Sequence, residues 1–356
     1  MLCDSAHLNA TIVGLAVSSA LSASLVLTQR WHKSFTSDRL NGIQNVHFSA
    51  VPRVGGLAIL LGLAAATLQL VKADAHIMLL LLLAALPAWL FGITEDITKT
   101  ISTSVRLDAT MFSGLLAWWL TGYSINQVDL PWVDDLLAFT PVAVIFTFFA
   151  VAGVAHAVNL IDGFNGLASG TVLICLSALG WIAAELNHTE LLHLILVLIA
   201  VVLGFFILNY PFGKLFLGDG GAYTLGFFLA WIAVMLVSDT DGLVSPWAPF
   251  LICAYPILET LFSMLRRVKS NRRMDHPDRT HLHSLVYRRL IPRLFPNASK
   301  TSRNALTSPF LWLFAAGPAL AGVILYSNTW ACIAAIGFTA VIYLALYRRL
   351  TRFRWL

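Results

Sequence analysis

Residues 190–208 read ELLHLILVLIAVVLGFFIL: after Glu190 the only break in an apolar run is His193. A bilayer core of about 30 Å needs about 20 such residues as a helix, because every backbone polar group must be satisfied inside the segment. The same pattern recurs on both sides of this run. About eleven spans can be laid along the chain, near 8–28, 54–72, 76–94, 106–122, 137–158, 166–186, 190–208, 222–238, 246–266, 308–326 and 329–347. The composition agrees, since 58% of the 356 residues are hydrophobic and 12% charged, with a mean hydropathy of +0.78. A soluble globular domain does not have that balance. The expectation is an all-α polytopic membrane protein, a single domain over 1–356.

The first span lacks a basic n-region and a small-residue cleavage site, so it reads as a retained helix. Cys3, Cys175, Cys253 and Cys332 form no CxxC pair. The last three fall inside apolar spans, where a thiol behaves as a small hydrophobe, so neither a cysteine zinc site nor a disulfide framework is expected.

Basic loops stay on the cytoplasmic side. With the N-terminus outside and the C-terminus inside, every Lys and Arg except Lys72 falls on or beside that face, while Asp74, Asp129, Asp134, Asp135, Glu190, Asp239 and Asp241 fall outside. The net charge of +5 then suits anionic lipid and phosphate and calls for no nucleic acid.

Five polar segments land on that one face. In AVNLIDGFNGLASG (157–170), Asn159 and Asp162 share a helix face, Asn165 trails behind, and Gly163 and Gly166 permit a sharp turn. A polar ligand could be gripped there, or Asn159 or Asp162 could simply cap the start of the sixth span. Glu95 and Asp96 end the third span with Lys99 one turn on; a cation would offset their repulsion, although solvated surface carboxylates fit equally. Gly218, Gly220 and Gly221 surround Asp219, which suggests a flexible turn able to hold a metal-bound phosphate at a helix N-terminus, or a capped Gly-rich turn. Asn209 and Phe216 lie just upstream, the latter able to stack on a planar base. The segment 267–305 is the longest basic loop, with Arg272, Arg273, Arg279, His276, His281 and His283. Its arginines offer forked donors for phosphate and its histidines a proton near neutral pH. His281 and His283 are two apart, unlike a helical zinc pair.

In order and spacing, the blocks VPRVGGLAI (51–59), FGITEDITK (91–99), NLIDGFNGLASG (159–170), FLGDGGAYTLG (216–226) and DRTHLH (278–283) resemble the polyprenyl-phosphate N-acetylhexosamine-1-phosphate transferases, over residues 40–347. The resemblance implies transfer of N-acetylhexosamine-1-phosphate, GlcNAc-1-phosphate by default, from a UDP-N-acetylhexosamine to undecaprenyl phosphate with release of UMP. This is the first lipid-linked step of O-antigen, lipopolysaccharide or another surface polysaccharide, at the cytoplasmic face of a bacterial inner membrane. It implies Mg²⁺, with Mn²⁺ as a substitute, on Asp219, with Asp96 beside Glu95 as an acidic pair that assists the metal or handles the lipid phosphate. Asn159 and Asp162 match the nucleotide block, and Asn165 can still bond uracil. Phe216 would stack on that base, Asn209 and Lys99 are further polar positions, and Arg279, His281 and His283 would contact the diphosphate. A homodimer is compatible with such enzymes.

The departures are Glu95 where the family commonly has Asp, Asn165 where many members have a second Asp, and Ser284 where some have His. HLHS also differs from the adjacent histidines of the phospho-MurNAc-pentapeptide transferases. A transporter is the rival from another class, but repeated halves and paired interrupted helices are not evident. Within the ninth span, Glu259 should face the protein interior or a wet cavity, since a lone carboxylate in lipid costs about 2.5 kcal/mol or more, and Pro256 should kink the helix.

Overall fold

The computed structural model describes residues 5–36, 51–269 and 280–352. Its helices are α1 (Ser5–Leu27), α2 (Gln29–Thr36), α3 (Gly55–Thr67), α4 (Lys72–Thr98), α5 (Thr103–Thr121), α6 (Pro131–Leu137), α7 (Thr140–Ile161), α8 (Leu167–Glu185), α9 (Thr189–Asn209), α10 (Gly218–Ser238), α11 (Trp247–Ile252), α12 (Ala254–Lys269), α13 (Leu282–Leu285), α14 (Ile291–Leu294), α15 (Lys300–Leu325) and α16 (Thr329–Arg352). Eight of them, α1, α4, α7, α8, α9, α10, α15 and α16, are long and apolar enough to cross a membrane.

The other three expected spans are helical but altered. The second shrinks to α3, 13 residues long. The fourth becomes α5, which carries Arg106 and Asp108 in its first turns. The ninth is broken at Cys253 into α11 and α12. Pro256 has no N–H to give Ile252, four residues back. The freed Ile252 carbonyl accepts instead from the Cys175 thiol of α8 at 3.4 Å, so Cys175 is more than the small hydrophobe expected of it.

At the centre stands α10, whose side chains are almost all buried. It packs on α3, α4, α7 and α8, and small residues bring the backbones together. A Cβ on Gly92 of α4 would lie 2.5 Å from the Gly220 Cα, and one on Gly56 of α3 2.3 Å from the Gly221 nitrogen. Packing of this kind is how helices associate where burial from water offers no drive. Gly220 and Gly221 are thus helical contact points, and the flexible turn expected around Asp219 is absent.

The NLIDGFNG block also differs from expectation. α7 continues through Asn159, Asp162 is its C-cap, and α8 begins only at Leu167. Asn159 and Asp162 therefore end one helix and do not start the next. Between 280 and 299 the expected loop folds as α13, a π-helical turn (Val286–Leu290) and α14.

Candidate active site

One end of the bundle gathers the C-termini of α4 and α7, the N-termini of α3, α5 and α10, and the short helices after 280. The anchor is Asp96, 1% exposed at the end of α4. Its Oδ1 accepts from the Asp219 amide and its Oδ2 from the Gly220 amide, both at 2.9 Å. These are α10's own unpaired N–H groups, so Asp96 caps that helix across the bundle and favours its positive end.

The chain before α3 is pinned alongside. Phe216 N–H donates to Pro52 O at 2.9 Å, Gly55 N–H to Phe216 O at 2.9 Å and Gly56 N–H to Leu217 O at 3.1 Å. Arg53 is thereby held over the acidic groups, with Nε 3.9 Å from Asp96 Oδ1 and Nη2 3.4 Å from Asp219 Oδ1. Arg106 of α5 donates through Nη1 to Asp219 Oδ2. The Asn159 amide donates to Asp219 Oδ1 at 3.1 Å.

Half-buried Asp162 faces the same point. Burial pushes its carboxyl up to about 6, against the opposing pull of the Arg53 charge and of a hydrogen bond from the Gly218 amide. Three carboxylates thus face two guanidinium groups. This set of hard oxygen donors suits Mg²⁺ better than a soft metal.

The histidine segment joins the cluster from one side. Glu259, fully buried on α12, accepts through Oε1 from the Leu282 amide at 2.9 Å and stands 3.2 Å from His281 Nδ1. Ser263 Oγ lies 3.0 Å from the same nitrogen. The His281 and His283 rings stack, with centroids 5.1 Å apart, and His283 meets the edge of Phe164 at 5.6 Å. This sets the histidines against the turn that follows Asp162. Glu259 therefore faces the protein, as expected, with the His281 segment as its partner. Arg279 lies outside the described residues.

Asn209, Asn165 and Glu95 hold the loops beside this cluster. The Asn209 side chain accepts from the Gly166 amide at 2.7 Å and donates to Leu215 O at 2.8 Å. Asn165 donates through its side chain to Pro211 O at 3.0 Å and through its amide to Asn304 Oδ1 at 2.9 Å. Both lock the loop after α7 against α9 and α15. Glu95 accepts from the Ile101 amide at 2.7 Å, exposed Lys99 ends α4 in the left-handed region at φ 58°, and Phe216 is half-buried.

Two residues of the cluster were not singled out from the sequence. Arg53 lies inside VPRVGGLAI and Arg106 ends GITEDITKTISTSVR. The available signal was a single arginine next to the start of an apolar helix, which the positive-inside pattern also explains.

Residues 78–237 match the profile of glycosyl transferase family 4. That window contains Asp96, Arg106, Asn159, Asp162 and Asp219. A Bacillus subtilis (strain 168) protein described as "Probable undecaprenyl-phosphate N-acetylglucosaminyl 1-phosphate transferase" is 29% identical over 240 residues, 67% of this chain and 66% of its own. The "Undecaprenyl-phosphate alpha-N-acetylglucosaminyl 1-phosphate transferase" of Yersinia pestis is 26% identical over 282 residues, 78% of this chain and 74% of its own. The protein so described in Escherichia coli (strain K12) is 27% identical over 252 residues, 68% and 66% of the two chains. The match thus spans just under two thirds of the length of the Bacillus and Escherichia relatives.

Proposed function

We propose that this chain, which belongs to glycosyl transferase family 4 through residues 78–237, transfers N-acetylhexosamine-1-phosphate from a UDP-sugar to undecaprenyl phosphate. A phosphate oxygen of the lipid bonds to the sugar-linked phosphorus, the bond from that phosphorus to the bridging oxygen breaks, and UMP leaves with that oxygen. The products are undecaprenyl-diphospho-N-acetylhexosamine and UMP. GlcNAc is the sugar favoured, following the names of the relatives.

The observation that carries this reading is the meeting of Asp219, Asp96, Asp162, Asn159, Arg53 and Arg106 at one end of an apolar bundle. Two anionic substrates must approach each other, and forked guanidinium groups neutralise and orient phosphate. Arg53 and Arg106, now on Asp219, are placed to turn to substrate phosphates. Asp219 is the residue to hold Mg²⁺, or Mn²⁺ in its place, with Asp162 beside it. Asp96 keeps α10 in position from beneath, and His281 and His283 approach the diphosphate from the side, oriented by Glu259. When bound, the metal supplies charge neutralisation to the phosphoryl oxygens as the bond order shifts.

An apolar cavity supports the lipid half of this reading. A cavity of about 390 Å³ opens between α7, α10 and the break of α11 and α12, lined by apolar side chains such as Val154, Val234, Trp247, Phe250 and Ile257. The excess of arginine around the catalytic end supports a cytoplasmic orientation in a bacterial inner membrane, where UDP-sugars are supplied. The product would start O-antigen, lipopolysaccharide or another surface polysaccharide.

The test is UMP release by purified protein given undecaprenyl phosphate, Mg²⁺ and a panel of UDP-N-acetylhexosamines, with Asp219→Asn as control. Release that needs both lipid and metal, and disappears in the control, supports the reading and names the sugar. Silence across the panel from folded protein overturns it.

A further inference from the structure

At the opposite end of the bundle, three titratable side chains from three helices meet. His7 begins α1, Asp74 lies in the first turn of α4 and His193 in the first turns of α9. Asp74 and Asp96 share α4, so this cluster lies about 33 Å from the candidate active site at a rise of about 1.5 Å per residue. Asp74 is 3% and His7 8% exposed. Both imidazoles direct Nδ1 at one atom, Asp74 Oδ2, at 3.4 Å from His7 and 3.3 Å from His193.

We infer that His7, Asp74 and His193 form a Zn²⁺-class metal site that staples α1 to α4 and α9, through a histidine–carboxylate–histidine meeting at Asp74 Oδ2.

Three observations carry the inference. First, one donor atom from each residue can be chosen so that all three lie within 4.8 Å of one another. The two nitrogen-to-oxygen separations match the edge of a tetrahedron with metal–ligand bonds of about 2.0–2.1 Å, an edge of about 3.3 Å. Second, the arrangement is not a completed hydrogen-bond relay. His193 Nδ1 meets hydrogen-bond geometry toward Asp74, whereas His7 Nδ1, buried and aimed at the same oxygen, has no hydrogen-bond partner among the described residues. A buried ring nitrogen without a partner is costly, and coordination would satisfy it. Third, the rings stack with centroids 3.5 Å apart and planes 20° from parallel. The stacking brings both Nδ1 donors beside the one carboxylate oxygen. Loading requires them to fan open around the ion.

Two imidazoles and one carboxylate suit Zn²⁺ over Mg²⁺ or Ca²⁺, which prefer all-oxygen shells, and leave a fourth position for water. The consequence is structural. α1 already packs on α3 and α9, with Ser18 Oγ donating to Val201 O at 2.8 Å. A metal at its N-terminal end would tie its first turn to α4 and α9.

The test uses tag-free, full-length protein in lipid nanodiscs, stripped with EDTA and then given ZnCl₂ alone. Retained metal is counted by mass spectrometry after gel filtration. Wild type and Asp219→Asn should each retain one equivalent, which separates this site from the candidate active site. His193→Gln and Asp74→Asn should bind zinc about tenfold or more weakly, since even outer-shell partners of a ligand are worth that much. Equal retention by wild type and folded His193→Gln overturns the proposal. A second arm needs no variant: wild type loaded with CoCl₂ should show the intense visible absorption of a four-coordinate ion. Only the weak bands of hydrated, six-coordinate cobalt would equally overturn it.

Discussion

The amide nitrogen of Asp219 lies 2.9 Å from Oδ1 of Asp96, so one acidic residue of the candidate site is held in place by another. The two carboxylates that the sequence suggested as a metal pair have different partners, α10 amides for Asp96 and Arg106 and Asn159 for Asp219, and their variants should fail in different ways.

Asp96→Asn replaces one acceptor of the α10 cap with an amide donor facing the Gly220 N–H. Losing a helix cap costs about 0.5–2 kcal/mol, so the melting temperature should fall together with activity. Asp219→Asn should melt within a few degrees of wild type yet lose turnover about a hundredfold or more, the scale of removing a central electrostatic group. Parallel thermal scans and UMP assays check this; equal melting temperatures in the two variants would refute the division of tasks.

Glu259 orients His281 through Nδ1 and pins Leu282. Glu259→Gln should lower kcat more than it raises the KM for the UDP-sugar. The double variant with His281→Ala should be about as impaired as His281→Ala alone, because the two act as a unit. Additive losses in that cycle would assign Glu259 a separate role.

Gly92 meets Gly220 backbone to backbone. Gly92→Ala should destabilise the protein by about 1–3 kcal/mol through overpacking. Gly153 of α7 is the control: its added methyl meets nothing within 4 Å, so Gly153→Ala should be neutral or stabilising, by up to about 1 kcal/mol. Melting temperatures of the two variants decide.

The Asp162 carboxyl is pushed up to about 6 from an ordinary 3.8. A raised folded-state value means that the native protein binds this proton more tightly than the unfolded chain. The associated stability is full below the ordinary value and is lost as pH rises through about 6. In metal-free buffer the melting temperature should decline over that window in wild type and stay flatter in Asp162→Asn. Turnover should move the opposite way, rising as Asp162 ionises. Superimposed melting profiles would remove Asp162 as their cause.

Pro256→Ala restores a donor for the Ile252 carbonyl that Cys175 now serves. The break between α11 and α12 should tighten and narrow the adjoining apolar cavity, raising the KM for undecaprenyl phosphate with little change in that for the UDP-sugar. An unchanged lipid KM would uncouple the break from lipid entry.

Hydropathy alone located nearly every long helix, because a span's apolar length is a local property. It was less informative where context intervenes: the second span stops at Thr67 as the short α3, and the ninth breaks where Pro256 withholds a bond. The acidic residues could be read because carboxylates stand out against apolar surroundings. Asn165 and Asn209 were harder, since an amide serves a loop's own backbone as readily as a ligand, and here both side chains bond to backbone groups. Arg53 and Arg106 were hidden by a topological signal that accounts for any basic residue on that face. His7, Asp74 and His193 share no local motif, and only the three-dimensional meeting of α1, α4 and α9 makes them neighbours.

Every protein group described above as contacting the Asp219 carboxylate, namely Arg53, Arg106 and Asn159, precedes it in the chain, as does Asp96 beneath it. α10 is also the most enclosed of the long helices, with 89% of its apolar window buried. During synthesis, then, α10 enters a socket whose walls α3, α4, α5 and α7 have already supplied, and the acidic centre can close before α15 and α16 leave the ribosome. The order of the chain doubles as an order of assembly, in which the helix carrying Asp219 is the one that completes its own binding partners.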